Sequence, residues 1–256
     1  MRWLRYGLDG QIGYGILDEN DTIAAVRGNP FAGYETTATR LNLSDVSIEV
    51  PVLPPTFYCV GLNYVKHIRT EGLTIPKKPD VGYRANNALV AHGADVIMPA
   101  DATRIHYEGE LVVVIGKKVK NISVDQVNDC ILGYTIGNDV SERNWQASDR
   151  TFWRAKNSDT FKPMGPWIST EADVSSMQTV VSVNGVERTR FDTADMLFGI
   201  HEFISTMSRY LTLYPGDIVW MGTDGHSPDL QPGDRVDVTL TGLGTLSNRF
   251  MTETLT

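Results

Sequence analysis

Between residues 104 and 250 the apolar positions come in short runs closed by Gly, Pro, Asn and Asp, the punctuation of strands. ELVVVIG, CILGYTIGNDV, TVVSVNGVERTRF, DIVWMGT and RVDVTLTGLGTL each read as strand segments. VNGV inside the third is a two-residue hairpin signal, and Pro-Gly-Asp stands directly before a strand in both YPGDIVW and QPGDRVDV. One stretch follows another period. Ile200, Phe203, Ile204, Met207 and Leu211 recur at helical spacing, which predicts an amphipathic helix over about 197–211 with its apolar face on the core.

Upstream the pattern is shorter-ranged. Residues 1–50 read as a small β region of short strands and turns, with GYGILDENDTIAAVRG as strand, polar turn, strand. VPVLPPTF marks a boundary, and the main domain is expected over 55–252. FYCVGLNYVKHIRTEG passes from a short strand into a helix stopped by Gly72 and Pro76, and 73–98 reads as loop with brief strands. There is no fixed-period repeat. The expected class is α+β, mainly β, without alternating βαβ units.

Length, charge and cysteine content narrow the function. A chain of 256 residues suffices for one large domain, or for one with a small appendage. A net charge of −8 argues against nucleic acid and acidic membranes as partners, so an anionic ligand would need local cations. Cys59 and Cys130 fit free thiols in a reducing compartment. The opening MRWLRYGLDGQ has no apolar signal core, and the longest apolar run, near LVVVIG, is too short to span a bilayer. A soluble cytoplasmic protein is expected.

The candidate chemistry starts at RIHYEGELVVVIGKK. If this is one strand, His106, Glu108 and Glu110 share a face, and two glutamates there call for a positive charge between them. Asp139 in GYTIGNDVSER adds a third carboxylate at a strand end. Three carboxylates without a cysteine cluster suit Mg²⁺ or Mn²⁺ better than Zn²⁺. By itself the Glu-x-Glu pattern fits a solvated strand face equally well. FWRAKNSDTFKPMGPW brings Arg154, Lys156 and Lys162 among aromatics, and on a strand Arg154 and Lys156 share a face. Such cations either steady an enolate or lie on the surface with packed stems. His67 and Glu71, four apart on a helix, suit either a general base with its orienting carboxylate or ordinary surface electrostatics. His92, His201 and His226 show no such setting.

Taken in order, GLNYVKH, HYEGELVVVIG, GYTIGNDVSER, RAKNSDTFKPMGPW and PGDIVWMGT resemble the fumarylacetoacetate hydrolase family, and QPGDRVDVTLTGLGTLSN resembles its closing segment. The resemblance spans about residues 55–250. It implies a mixed β-sandwich roll, a homodimer, and Mg²⁺ or Mn²⁺ on Glu108, Glu110 and Asp139. It implies catalytic roles for His67, Glu71 and Lys156. Substrate-facing positions fall at Arg84, Tyr107, Arg143, Gln146, Lys156 and Thr223. The chain departs from the family pattern at four places. Thr70 stands where the dyad glutamate is usual, with Glu71 one later, and Arg84 replaces a lysine. GTDGHSPDLQPGD lacks the usual proline after Gly-Thr, and Asn144 replaces an acid.

The function implied is metal-dependent hydrolysis of a C–C bond in an acylpyruvate-like 1,3-diketo acid, a small oxo-acid substrate. A decarboxylase of an oxaloacetate-like acid, or an isomerase of a 2-hydroxy-dienedioate, would need the same site without an attacking water. A non-catalytic oxo-acid binding protein is the reading from another class. Fold alone does not choose among them.

Overall fold

The computed structural model describes residues 1–253. Its centre is the strand Gly109–Ile115, in which every residue is buried. Leu111, Val113 and Ile115 enter one apolar cluster, while Val112 and Val114 enter another on the opposite face. This accounts for the unbroken run LVVVI, since a strand covered on both faces has no position left for polar alternation.

Gly109–Ile115 lies inside a large, mostly antiparallel sheet. Its neighbours are Ile131–Asn138 on one side and Ile218–Trp220 on the other. Beyond these come Lys162–Ser169 next to Ile131–Asn138, and Phe57–Val60 parallel to Ile218–Trp220. A five-stranded sheet packs on the Leu111 face, in the order Val186–Asp192, Gln178–Val183, Arg235–Leu240, Gly244–Thr252, Val96–Met98. The fold is thus the expected mainly-β α+β arrangement. The VNGV turn joins Gln178–Val183 to Val186–Asp192 with Asn184 at φ 54° and Gly185 at φ 78°, the paired left-handed residues of a type I′ hairpin.

The helix Ile200–Tyr210 buries Ile200, Phe203, Ile204 and Met207, as its periodicity predicts. The strands of residues 1–50 are continuous with the main sheet, because Arg2–Leu8 pairs with Lys162–Ser169 at Trp3↔Ile168. No helix among the described residues is long and apolar enough to cross a membrane.

Two sequence expectations are corrected. The segment from Arg104 is not one strand. Ile105–His106 pairs with Ser141–Glu142, the ladder lapses at 107–108, and Gly109–Ile115 then starts a new sheet partnership. Arg154 and Lys156 are not on a strand either. Lys156 N–H donates to the Phe152 carbonyl and Ser158 N–H to that of Arg154, so the chain is wound in helical turns there. Residues two apart then diverge: Arg154 pairs with Asp149, whereas Lys156 is buried.

Sheet geometry and site meet at Gly137, which pairs with Glu110 across the ladder. A Cβ at Gly137 would lie 2.6 Å from the buried Trp220 ring. Gly137→Ala should therefore cost about 1–3 kcal/mol, the range for overpacking a core. The check is a lower urea midpoint at unchanged m-value; an unchanged midpoint would show that the ring can yield.

Candidate active site

The ladder that pairs Gly109 with Asn138 and Glu110 with Gly137 places EGE beside GND. Two further contacts fix the junction: Asp139 N–H donates to the Glu108 carbonyl at 2.8 Å, and Glu108 N–H donates to Asn138 Oδ1 at 2.9 Å. One carboxylate oxygen from each of Glu108, Glu110 and Asp139 then lies within 4.8 Å of the others, and all three residues are buried.

Four cations answer these three acids. Arg84 grips Asp139 with two nitrogens, Nη2 to Oδ2 at 2.9 Å and Nε to Oδ1 at 3.3 Å. Lys162 Nζ is 2.7 Å from Asp139 Oδ1 and also donates to the carbonyls of Val140 and Phe161. Lys156 Nζ bridges Glu108 Oε2 at 2.5 Å and Asp139 Oδ2 at 3.0 Å. Arg143 Nη2 reaches Glu108 Oε1 at 2.7 Å.

The cations are shared unequally. Burial alone would push Asp139 up, but Arg84, Lys156 and Lys162 reverse this and hold its carboxyl well below the usual range. For Glu108 the burial penalty is likewise outweighed, by Lys156 and Arg143. Glu110 differs. Its hydrogen-bond donor is the Gly222 backbone N–H at 2.8 Å, and burial, then the charges of Asp139 and Glu108, drive its pKa well above the ordinary value. Burial pulls the Lys162 ammonium down to about 8 despite Asp139.

This donor set suits a hard divalent cation. All three side chains offer oxygen, they converge in a buried place, and among the described residues no side-chain cation contacts Glu110. A cation at this point would relieve the repulsion that now raises Glu110.

The remaining expected positions fall at varying distances from the triad. Thr223 is half-buried and follows Gly222, the donor to Glu110. Gln146 Oε1 accepts from Arg143 Nη1 at 2.7 Å and so reaches the triad only through Arg143. Tyr107 turns away: its hydroxyl is 2.7 Å from Thr189 Oγ1 and 3.2 Å from the His226 carbonyl. His67 is on the short helix Val65–Thr70, with Nδ1 buried and lacking a hydrogen-bond partner. The expected His67–Glu71 contact is not formed. Glu71 follows the last helical residue, where the helix gives way to Gly72 at φ 67°, and its Oε1 lies 3.8 Å from His226 Nδ1. The helix is moored next to the site, since Asn63 Nδ2 donates to the Met221 and Phe198 carbonyls.

The sequence marks Lys162 only as one of three cations among aromatics, with no role of its own, and His106 only as sharing a face with Glu108 and Glu110; it does not mark Asp229. The signal for Lys162 was a lysine flanked by Phe161 and Pro163 in an apolar strand, where a charge needs a partner. Asp229 gives no local signal. Cys59, although close to the site, is no nucleophile: burial pushes its thiol up to about 12.

The model of the fumarylacetoacetate (FAA) hydrolase C-terminal domain matches residues 56–251. The chain belongs to this family. A second model, Rv2993c-like N-terminal, matches residues 1–51. The chain is 36% identical to Protein Rv2993c of Mycobacterium tuberculosis over 244 residues, covering 94% of this chain and 91% of that one. Its structure matches the 5-carboxymethyl-2-hydroxymuconate delta-isomerase from Mycobacterium smegmatis with a TM-score of 0.91 at 34% identity, over 99% of this chain and 100% of that one. The 2-hydroxyhepta-2,4-diene-1,7-dioate isomerase from Mycobacterium marinum matches equally, with a TM-score of 0.91 at 34% identity over 100% of both chains. Relatives in this family are enzymes, and they include hydrolases and decarboxylases as well as isomerases.

Proposed function

We propose that this protein is an isomerase of a 2-hydroxy-dienoate or its 2-oxo tautomer, dependent on Mg²⁺ or Mn²⁺. The observation that carries the reading is the Lys156 ammonium set between Glu108 and Asp139 at the edge of a buried carboxylate triad. Every reaction of an oxo-acid at such a site passes through negative charge on the 2-oxygen, and this arrangement aims positive charge there. Held by Glu108, Glu110 and Asp139, the divalent ion would supply a Lewis acid that polarises the 2-oxo group.

The chain's own residues supply the rest. Lys156, set between Glu108 and Asp139, would hydrogen-bond an oxygen held at the triad as charge develops. Arg84 and Lys162 fix Asp139 from one side, and Arg143 fixes Glu108 from the other, so the carboxylates need little reorganisation. His67 would carry the proton between the two ends of the conjugated system. Isomerisation needs only a base that takes a proton at one carbon and returns it at another.

Isomerisation is favoured over the hydrolysis expected from the motifs by the place of Glu71, which lies beside His226 and not behind His67. Hydrolysis needs a water that the base must both activate and aim, and among the described residues no carboxylate is hydrogen-bonded to His67 Nδ1 to hold its ring for that task; isomerisation dispenses with the water. The two isomerases at 34% identity over nearly the whole chain support the same choice.

The test is a panel of 2-hydroxy-dienoates and acylpyruvates with Mg²⁺ or Mn²⁺, with products identified by NMR. Isomerised dienoate with intact acylpyruvate is the expected result, and His67→Ala should slow isomerisation by about 10²–10⁴-fold. Cleavage of acylpyruvate to pyruvate at a comparable rate would overturn the isomerase assignment in favour of hydrolysis.

A further inference from the structure

Glu108 is reached from the loop after Gly222 through a relay of three side chains. Asp229 Oδ1 lies 2.7 Å from His106 Nε2, Arg143 Nε donates to His106 Nδ1 at 3.1 Å, and Arg143 Nη2 meets Glu108 Oε1 at 2.7 Å. An arginine can only donate, so His106 Nδ1 must be the bare nitrogen. The proton is then on Nε2, where the Asp229 carboxylate accepts it. Both ring nitrogens are committed, which removes His106 from the candidates for general base.

One backbone and one side-chain contact of the loop flank Asp229. Leu230 N–H donates to the Ile105 carbonyl at 2.8 Å, and Tyr107 N–H donates to Ser227 Oγ at 3.1 Å. Arg104 Nε adds a cation 3.5 Å from Asp229 Oδ1. The same loop begins at Gly222, which donates to Glu110. One segment thus contacts Glu110 directly and Glu108 through His106 and Arg143. It is also the segment GTDGHSPDLQPGD, which departs from the family pattern.

We infer that His106, held in its Nε2–H tautomer by Asp229, is a positioning residue that orients Arg143 on Glu108 and thereby presets the divalent-cation site. The inference rests on the reading of the triad as that site. Without His106 the Arg143 guanidinium loses its Nε anchor and, apart from Glu108 itself, is held only by Gln146 at Nη1. Glu108 Oε1 then loses a fixed donor, and the carboxylate must be ordered by the ion itself. Outer partners of this kind, when removed, typically weaken metal affinity by about 10–100-fold.

Two measurements test it. Imidazole ¹⁵N NMR of the metal-free protein should show His106 protonated on Nε2 and bare on Nδ1. Calorimetric titration with Mn²⁺ should show an affinity loss of about 10-fold or more for His106→Leu. His106→Gln, whose amide can accept from Arg143 and donate to Asp229, should recover most of that loss. In an Arg143→Leu background the His106→Leu change should have no further effect. The opposite tautomer overturns the inference, as does equal weakening by Gln and Leu, or a His106→Leu loss that persists without Arg143. If His106→Leu does not fold, Asp229→Ala on the half-exposed loop replaces it: a loss that vanishes in the Arg143→Leu background is expected, and an unchanged affinity overturns the inference. A wild-type protein that binds no Mn²⁺ would defeat the metal reading instead, and the tautomer would still report on the relay.

Discussion

Asp139→Asn should cost about 3–5 kcal/mol of folding free energy in the metal-free protein, the range for breaking a buried ion pair by removing one partner. The reason is the number of charges that depend on this carboxylate. Arg84, Lys156 and Lys162 all contact Asp139, and Lys162 is fully buried. Asparagine keeps the shape and one acceptor oxygen but no charge, so three cations would face a single neutral acceptor, and Lys162 would otherwise have only the Val140 and Phe161 carbonyls. Lys156 would keep Glu108, and Arg84 would keep only the Tyr83 carbonyl. Loss of divalent-cation binding should accompany the loss of stability, because two glutamates remain where three acids converged. Urea unfolding of the metal-free protein reads the first effect and Mn²⁺ titration the second. A variant with wild-type urea midpoint and wild-type Mn²⁺ affinity would mean that Asp139 is neither the hub of the cations nor a ligand.

Lys156→Met should leave a folded protein with turnover reduced by about 10²-fold or more, the scale for losing one preorganised donor aimed at developing negative charge. Methionine keeps the buried stem and removes the ammonium. Arg143 remains on Glu108, and Arg84 and Lys162 remain on Asp139, so each carboxylate that Lys156 bridges retains a cation. The carboxylates would be less neutralised by the protein, so Mn²⁺ affinity should hold or rise while turnover falls. That divergence separates a donor to the substrate from a part of the ion site. Turnover at the wild-type rate would show that the Lys156 charge serves only to offset Glu108 and Asp139.

The triad was legible because it is carried by two local patterns that the sheet makes adjacent. EGE and GND are each next to an apolar strand, and the antiparallel ladder brings their ends together. The count of cations around it was less legible. Lys156 and Lys162 stand in one motif as candidate cations, but that both answer Asp139, Lys162 at 2.7 Å, appears only in the folded chain. The His67–Glu71 pair shows the opposite error. Spacing by four puts two side chains on one face without making them meet: Glu71 N–H still bonds the His67 carbonyl, yet the Glu71 carboxylate lies by His226 while His67 Nδ1 is buried without a partner.

The sequence by itself determined the features that depend on neighbours along the chain. The VNGV hairpin, the helix of residues 200–210, the buried strand LVVVI and the stop at Gly72 are all set by period and turn chemistry over a few residues. Tertiary structure alone decided what depends on partners far away in sequence. It joined the strands of residues 1–50 to the main sheet through Lys162–Ser169, brought Asp229 to His106 across 123 positions, and gave Asp139 its three cations. The reason is that a charged side chain has no periodic signature. Its role is fixed by whichever opposite charge the folded backbone places beside it in the low-dielectric interior.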